Sequence, residues 1–239
     1  MATSGTTSFD LNIDDIIEEA FERTTLRGLR TGQQLKSARR SLNILFSEWG
    51  NRGVHLWKVK SATIPLVQGQ DEYNYANDNA NFPQDINDVL EAYVRNNTTP
   101  TAPVDTTLTK IDRSDYAALP NKLSQGTPSQ YYVDRQTAPS IYLYQTAGSS
   151  FSGSNYQLKF YYIARIEDAG AYTNTADITY RFIPCMTAGL AYYLSMKYSP
   201  ELIQPLKLVY EDELQRALQE DGQRTSLYIS PQTFYGDGV

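Results

Sequence analysis

His55 is the only histidine and Cys185 the only cysteine, so the two side chains that most often carry metal or nucleophilic chemistry occur once each. One histidine cannot build a HExxH helix or a histidine-based metal cluster. A serine triad would have to use His55, and no GxSxG turn holds a serine for it. His55 stands between Val54 and Leu56 and reads as a packed residue at a strand start. Cys185 falls near the apolar face of a helix, where a free thiol acts as a small hydrophobe. The glycines at 148 and 153 are spaced GSSFSG with no GK[ST] behind them, so they form no phosphate loop. Asp14, Asp15, Glu18 and Glu19 crowd together, but at a helix start, where negative charge complements the helix dipole. No catalytic, metal or cofactor site is expected, and the chain does not read as an enzyme.

What remains are groups suited to contact rather than reaction. In GQQLKSARRSLNILFSEWG (32–50), Leu35, Ala38, Leu42, Leu45, Phe46 and Trp49 recur at steps of three and four and share one stripe. Lys36, Arg39 and Arg40 fall opposite, and the linker before them adds Arg27 and Arg30. These five cations form a candidate basic face. A second group lies at the other end: Leu227, Tyr228, Ile229, Phe234 and Tyr235 follow a glycine stop in a stretch with almost no charge. Apolar side chains on such a tail cost solubility unless they dock on something.

The elements that must carry these groups follow from period and punctuation. Asn12 caps a helix whose face is Ile13, Ile16, Ile17, Ala20 and Phe21. Gly50 stops the long second helix. After Gly53 the period changes to that of strands, with Pro65 marking an edge or bend. Tyr131–Val133 and Ile141–Tyr144, separated by Arg135–Pro139, predict a hairpin. Tyr156, Leu158, Phe160, Tyr162, Ala164 and Ile166 alternate as a half-buried strand. Helix returns with Phe182, Met186, Leu190, Tyr193 and Leu194, and again with Leu206, Val209, Tyr210, Leu214, Ala217 and Leu218 up to Gly222.

The chain thus divides into an N-terminal helical hairpin (1–53), a β insertion (54–176), a C-terminal helical hairpin (177–222) and an extended tail (223–239). Neither hairpin is stable alone, so the expected fold is α+β: a four-helix bundle made by the two hairpins, with an antiparallel β domain inserted between helices two and three. At 239 residues with 41% hydrophobic content, a sizeable core is available. A net charge of −6 argues against a general nucleic-acid binder. Nineteen tyrosines suit half-buried strands and interfaces. The sequence offers no signal-peptide pattern at its start and no apolar run long enough to span a bilayer.

Three strings, ARRSLNILFSEWGNRGVHLW (38–57), LPNKLSQGTPSQYYVDRQTAPSIYLY (119–144) and GLAYYLSMKYSPELIQPLKLVYEDELQRALQED (189–221), occur in an order and spacing similar to another group of proteins. From about residue 10 to 230 the chain resembles the head-to-tail adaptors of short-tailed bacteriophages, the family that includes tail tubular protein A, or gatekeeper. The resemblance implies a virion protein assembled in the host cytoplasm as a ring, usually of twelve copies. Such a ring sits between the portal protein and the tail nozzle, and DNA passes through it without sequence-specific binding. It implies no membrane partner. The C-terminal tail would dock on the portal, with Tyr228 and Phe234 as anchors. The basic face would meet a neighbouring subunit or the portal. An alternative is a glycan-binding or cell-wall-degrading virion protein that uses its tyrosine-rich β part, and a third is a receptor adhesin.

Overall fold

The computed structural model describes residues 5, 11–24, 30–53, 58–78 and 81–221. Helix α1 (Ile13–Glu22) begins with a capping box: Asn12 Oδ1 accepts the Asp15 amide at 2.9 Å, and Asp15 reaches back to the Asn12 amide. Helix α2 (Gly32–Asn51) repeats the device with Thr31 and Gln34. It runs through Gly50 and stops only at Gly53, whose φ of 78° takes the left-handed conformation that closes the helix. The apolar stripes expected for both helices are buried, except that Leu35 at the start of α2 is only half-buried.

Strands β1 (Val59–Leu66), β3 (Ile86–Asn96), β4 (Val104–Thr107) and β10 (Gly153–Ala164) form one antiparallel sheet in the order β1-β10-β3-β4. The register of β1 against β10 shifts at Pro65/Leu66, where the proline was expected to bend the strand. A second sheet, β2-β8-β7-β5, joins β2 (Glu72–Asn74), β8 (Ser140–Tyr144), β7 (Gln130–Asp134) and β5 (Thr109–Lys110). The β7–β8 hairpin is the one predicted, with Tyr132 opposite Tyr142. Both sheets close over one core that includes Tyr73, Phe82, Val89, Tyr131, Leu143, Leu158 and Phe160. Strands β6 (Gln125–Gly126) and β9 (Thr146–Ala147) make a small separate pair. Short helices α3 (Tyr75–Asp78) and α4 (Arg113–Ala118) lie among the strands.

Helices α5 (Ile183–Tyr198) and α6 (Ile203–Asp221) complete a second core with α1 and α2. Buried residues occur all around α5: Cys185, Met186, Ala188, Gly189, Leu190, Ala191, Leu194 and Ser195. At Gly189 an added Cβ would stand 2.9 Å from both a Leu45 methyl and the Tyr210 ring. Glycine is what lets α2 and α6 approach α5 together. The Trp49 indole donates to the Tyr210 hydroxyl at 3.0 Å, and Arg52 reaches Glu211 at 2.7 and 2.9 Å. A connector of residues 165–182 leads from β10 to α5 and wraps the first two helices. The Ile13 and Asp14 amides donate to its Asn174 and Tyr172 carbonyls, and its Ala169 amide donates to Asn43.

This architecture corrects the four-helix bundle with an inserted antiparallel domain. Among the described residues six helices and ten strands are interspersed, with α3 and α4 inside the strand region. The longer helices gather around a central α5 rather than pairing as two equivalent hairpins. Nor is the strand region one antiparallel unit, because β5 runs parallel to β7 and β6 parallel to β9. Apolar period shows which face of a helix is buried, but not how many neighbours bury it. Helix α5 lacks a polar side among most of its length, and such a helix occupies an interior position.

Candidate functional site

The helical layer places the candidate basic face, and it divides the five cations. Arg27 lies outside the described residues. Arg30 turns back onto α1: it donates to Glu18 Oε1 at 3.1 Å and the Glu18 carbonyl at 3.3 Å, with its guanidinium 5.3 Å from the Phe21 ring centre. Arg39 is half-buried. It donates to the Gly170 carbonyl at 3.0 Å and lies over the Tyr172 ring, so it fastens the connector to α2. Lys36 and Arg40 are exposed and have no ion pair among the described residues. Two of the five therefore serve the fold, and two remain exposed.

A third exposed cation joins these two and was not singled out from the sequence. Lys197, on the last turn of α5, donates to Ser41 Oγ at 2.6 Å, Ser37 Oγ at 3.0 Å and the Ser37 carbonyl at 3.4 Å. All three acceptors are neutral. Desolvation and the neighbouring Arg40 charge lower the Lys197 pKa below its ordinary value. The signal was present: Lys197 follows Leu190 and Leu194 on one helical stripe, a cation where an apolar residue would otherwise stand. Beside it a groove of about 380 Å³ runs over Thr31, Gln34, Ser37, Arg40 and Tyr198 at the start of α2.

The opposite charge gathers on α1. A groove of about 530 Å³ lies between Asp15, Glu18, Glu19 and Glu22 on one side and Ile183, Pro184 and Thr187 on the other. Glu18 is committed to Arg30 and Glu19 to Arg23, at 3.1 and 2.9 Å, while Glu22 has no ion pair among the described residues.

The β part carries a third surface. Tyr116 of α4 stacks on Tyr132 at 5.4 Å between ring centres, and Tyr132 on Tyr142 at 5.9 Å, each pair 21° from parallel. They edge an open groove of about 780 Å³ that Asp71, Arg113, Lys122, Asp134 and Arg135 also line. Beneath it, Glu72 accepts from Ser140 at 2.8 Å, Asn74 at 2.9 Å and Tyr142 at 3.0 Å. Burial works to raise the Glu72 pKa, but these three donors prevail and hold it below the usual carboxylate range. Glu72 is thus an ionised structural acceptor, unsuited to act as a general acid.

Cys185 is buried, and desolvation pushes its thiol up to about 12, far from a reactive thiolate. No group of three or more His, Cys, Asp or Glu side chains there could hold a metal. His55 and the tail residues Leu227, Tyr228, Ile229, Phe234 and Tyr235 lie outside the described residues. No described helix is long and apolar enough to cross a membrane. The chain matches no protein-family model, and no curated protein is detectably similar to it.

Proposed function

We propose that this chain is a structural head-to-tail adaptor of a phage virion, forming a ring, dodecameric by resemblance, between the portal and the tail nozzle around the DNA channel. The observation that carries the reading is the outer surface of the helical layer. Lys36 and Arg40, one turn apart on α2, and Lys197, close enough to Arg40 to feel its charge, are exposed and form no ion pair among the described residues. Cations left unpaired at a groove suit a protein whose work is contact with another chain. The acidic net charge fits a collar that lets DNA slide past rather than gripping it. The tail residues Leu227, Tyr228, Ile229, Phe234 and Tyr235 supply the portal anchors in this reading.

Native mass spectrometry of the protein alone and mixed with the portal ring tests it. A monomer that becomes a stoichiometric ring on the portal supports the adaptor, and its mass counts the copies. Deleting residues 223–239 is expected to leave the urea midpoint unchanged while portal binding is lost. A truncated chain that still binds the portal would move the anchor elsewhere.

A second reading, glycan binding or cell-wall cleavage, is favoured by the tyrosine-edged groove with Asp71 and Asp134 on its wall. Aromatic faces stack on sugar rings, and two carboxylates about 5–10 Å apart could cleave a glycosidic bond. Asp71→Asn with Asp134→Asn should then abolish clearing of purified cell walls. Equal clearing by the variant, or none by the native chain, removes the cleavage reading.

A further inference from the structure

We propose that the cleft between α2 and the adjoining ends of β3 and β10 binds a sugar ring, free or as the end of a longer glycan. The site shares no residue with the tyrosine-edged groove and is independent of ring formation.

The cleft has a volume of about 270 Å³. Asn43, Ser47, Gly50 and Asn51 line it from the helix, and Asn87, Ile163 and Ala164 from the sheet. It lies where the helical layer meets the β part, and the cores of these two layers share no buried residue. Ligand sites occur preferentially at such junctions.

Two features of its walls are not required by the fold. The first is Asn87. Ile163 pairs with Asp88 and Ala164 with Ile86, which leaves Asn87 as the extra residue of a β-bulge. Its side-chain amide has no hydrogen bond among the described residues. Bulges are over-represented beside functional sites, where they re-aim a side chain. The second is Gly50, in the last turn of α2. Its φ is not left-handed, and a Cβ added there would meet nothing within 4 Å. Alanine would fit and would favour the helix. No close packing demands glycine at this position, and what its missing side chain preserves is open space in the cleft wall.

The polar groups select the ligand. Asn51 and Asn87 each present an amide that both donates and accepts. The Asn43 Oδ1 accepts the Ala169 amide at 2.9 Å, which leaves its NH₂ free. The Ser47 hydroxyl donates to the Asn43 carbonyl, and its oxygen remains an acceptor. All four groups are uncharged. Arg165 and Asp168 reach the cleft from the connector, exposed and without an ion pair among the described residues, and their charges cancel. The matching ligand is neutral overall and rich in groups that donate and accept at once. Sugar hydroxyls do both, and planar amide, guanidinium and carboxylate groups can meet neighbouring hydroxyls two at a time. Ile163, Ala164 and Ile166 add apolar surface for the C–H face of the ring. Phe46 lines the cleft but is only 5% exposed, so no open aromatic face is offered to a nucleobase. A phosphate would meet Asp168 as well as Arg165. A free amino acid would engage those two charges and leave the amides of both walls unpaired.

Saturation-transfer NMR on the full chain, titrated with glucose, galactose, mannose and N-acetylglucosamine, tests the site. A Kd on the order of millimolar is expected for a ligand of this size. Disaccharides of the sugar that binds separate the sources: equal or tighter binding marks the end of a glycan, and weaker binding marks a free sugar. Gly50→Leu fills the open wall and Asn87→Ala removes the bulge amide, and each should weaken binding at least tenfold. The urea midpoint of Gly50→Leu should be unchanged or raised, so its loss of binding is not loss of fold. Saturable binding by none of the four sugars up to about 100 mM overturns the proposal. Binding that survives Gly50→Leu at full strength overturns it as well, and puts the sugar elsewhere on the molecule.

Discussion

Trp49→Ala is expected to destabilise the helical core by about 3–5 kcal/mol, the cost of removing a fully buried indole. Trp49 has no exposed surface, and its ring lies 5.6 Å from Phe182 and 6.1 Å from Phe46 between centres. The cavity would open where α2, α5 and the approach to α5 meet, so no single neighbour can fill it by turning a side chain. A polar loss adds to the apolar one. The indole N–H donates to Tyr210, whose hydroxyl in turn donates to Glu48 at 3.2 Å. Alanine leaves a buried hydroxyl with one partner fewer. Cys185 supplies the readout. It is buried in the same core, and a thiol held at about 12 reacts with a disulfide reagent only when that core opens. Three kcal/mol corresponds to roughly a hundredfold rise in the open population. An unchanged labelling rate together with an unchanged urea midpoint would show that Trp49 is not central to this core.

Phe160→Ala should cost a similar amount, about 3–5 kcal/mol, in the other core. Phe160 is fully buried at the middle of β10, opposite Ala62 of β1 and Ala92 of β3. Both cross-strand neighbours are alanines, so the ring fills space that they leave. It touches Phe82 and Tyr162, at 6.2 and 5.8 Å between centres. The two cores share no buried residue. Phe160→Ala is therefore expected to accelerate Cys185 labelling much less than Trp49→Ala does, at equal loss of global stability. Equal acceleration would mean the two cores open as one unit.

Local pattern carried most of what was legible beforehand. The stripe Ile13, Ile16, Ile17, Ala20 and Phe21 is buried as its spacing requires, and Asn12 caps that helix. Tyr131 and Leu143 pair across the hairpin that their flanking turn residues announce. Arrangement was not legible, because it depends on residues far apart. A two-residue strand such as Gln125–Gly126 has no periodicity at all until it meets Thr146–Ala147. The bundle failed for the same reason: the spacing of Leu190 and Leu194 marks a buried face, but not that Ala188 and Ser195 are buried on other sides. On the candidate site, a helical wheel puts Arg39, three residues before Leu42, on the flank of the apolar stripe rather than opposite it. It cannot foresee that Gly170, 131 residues later, returns to cover that position. Lys36 and Arg40 are uncovered for want of such a return. Lys197 was missed because a lysine near a helix end reads as ordinary charge until Ser37 and Ser41 are brought beneath it.

The central place of β10 bears on how the chain must be made. Strand β1 is flanked in the sheet by β10, with Val59 paired to Ile163, and the buried faces of α1 and α2 close on α5, α6 and the connector before α5. Ribosomes release the chain N-terminus first, at about 5–20 residues per second. Some 130 residues separate the end of α2 from the start of α5, so the first two helices emerge on the order of ten seconds before their partner. For that interval Ile16, Phe21, Leu42 and Trp49 have nothing to rest against. The nascent protein is a client for whatever shields apolar surface at the ribosome exit, and its folding is dominated by late, long-range closure.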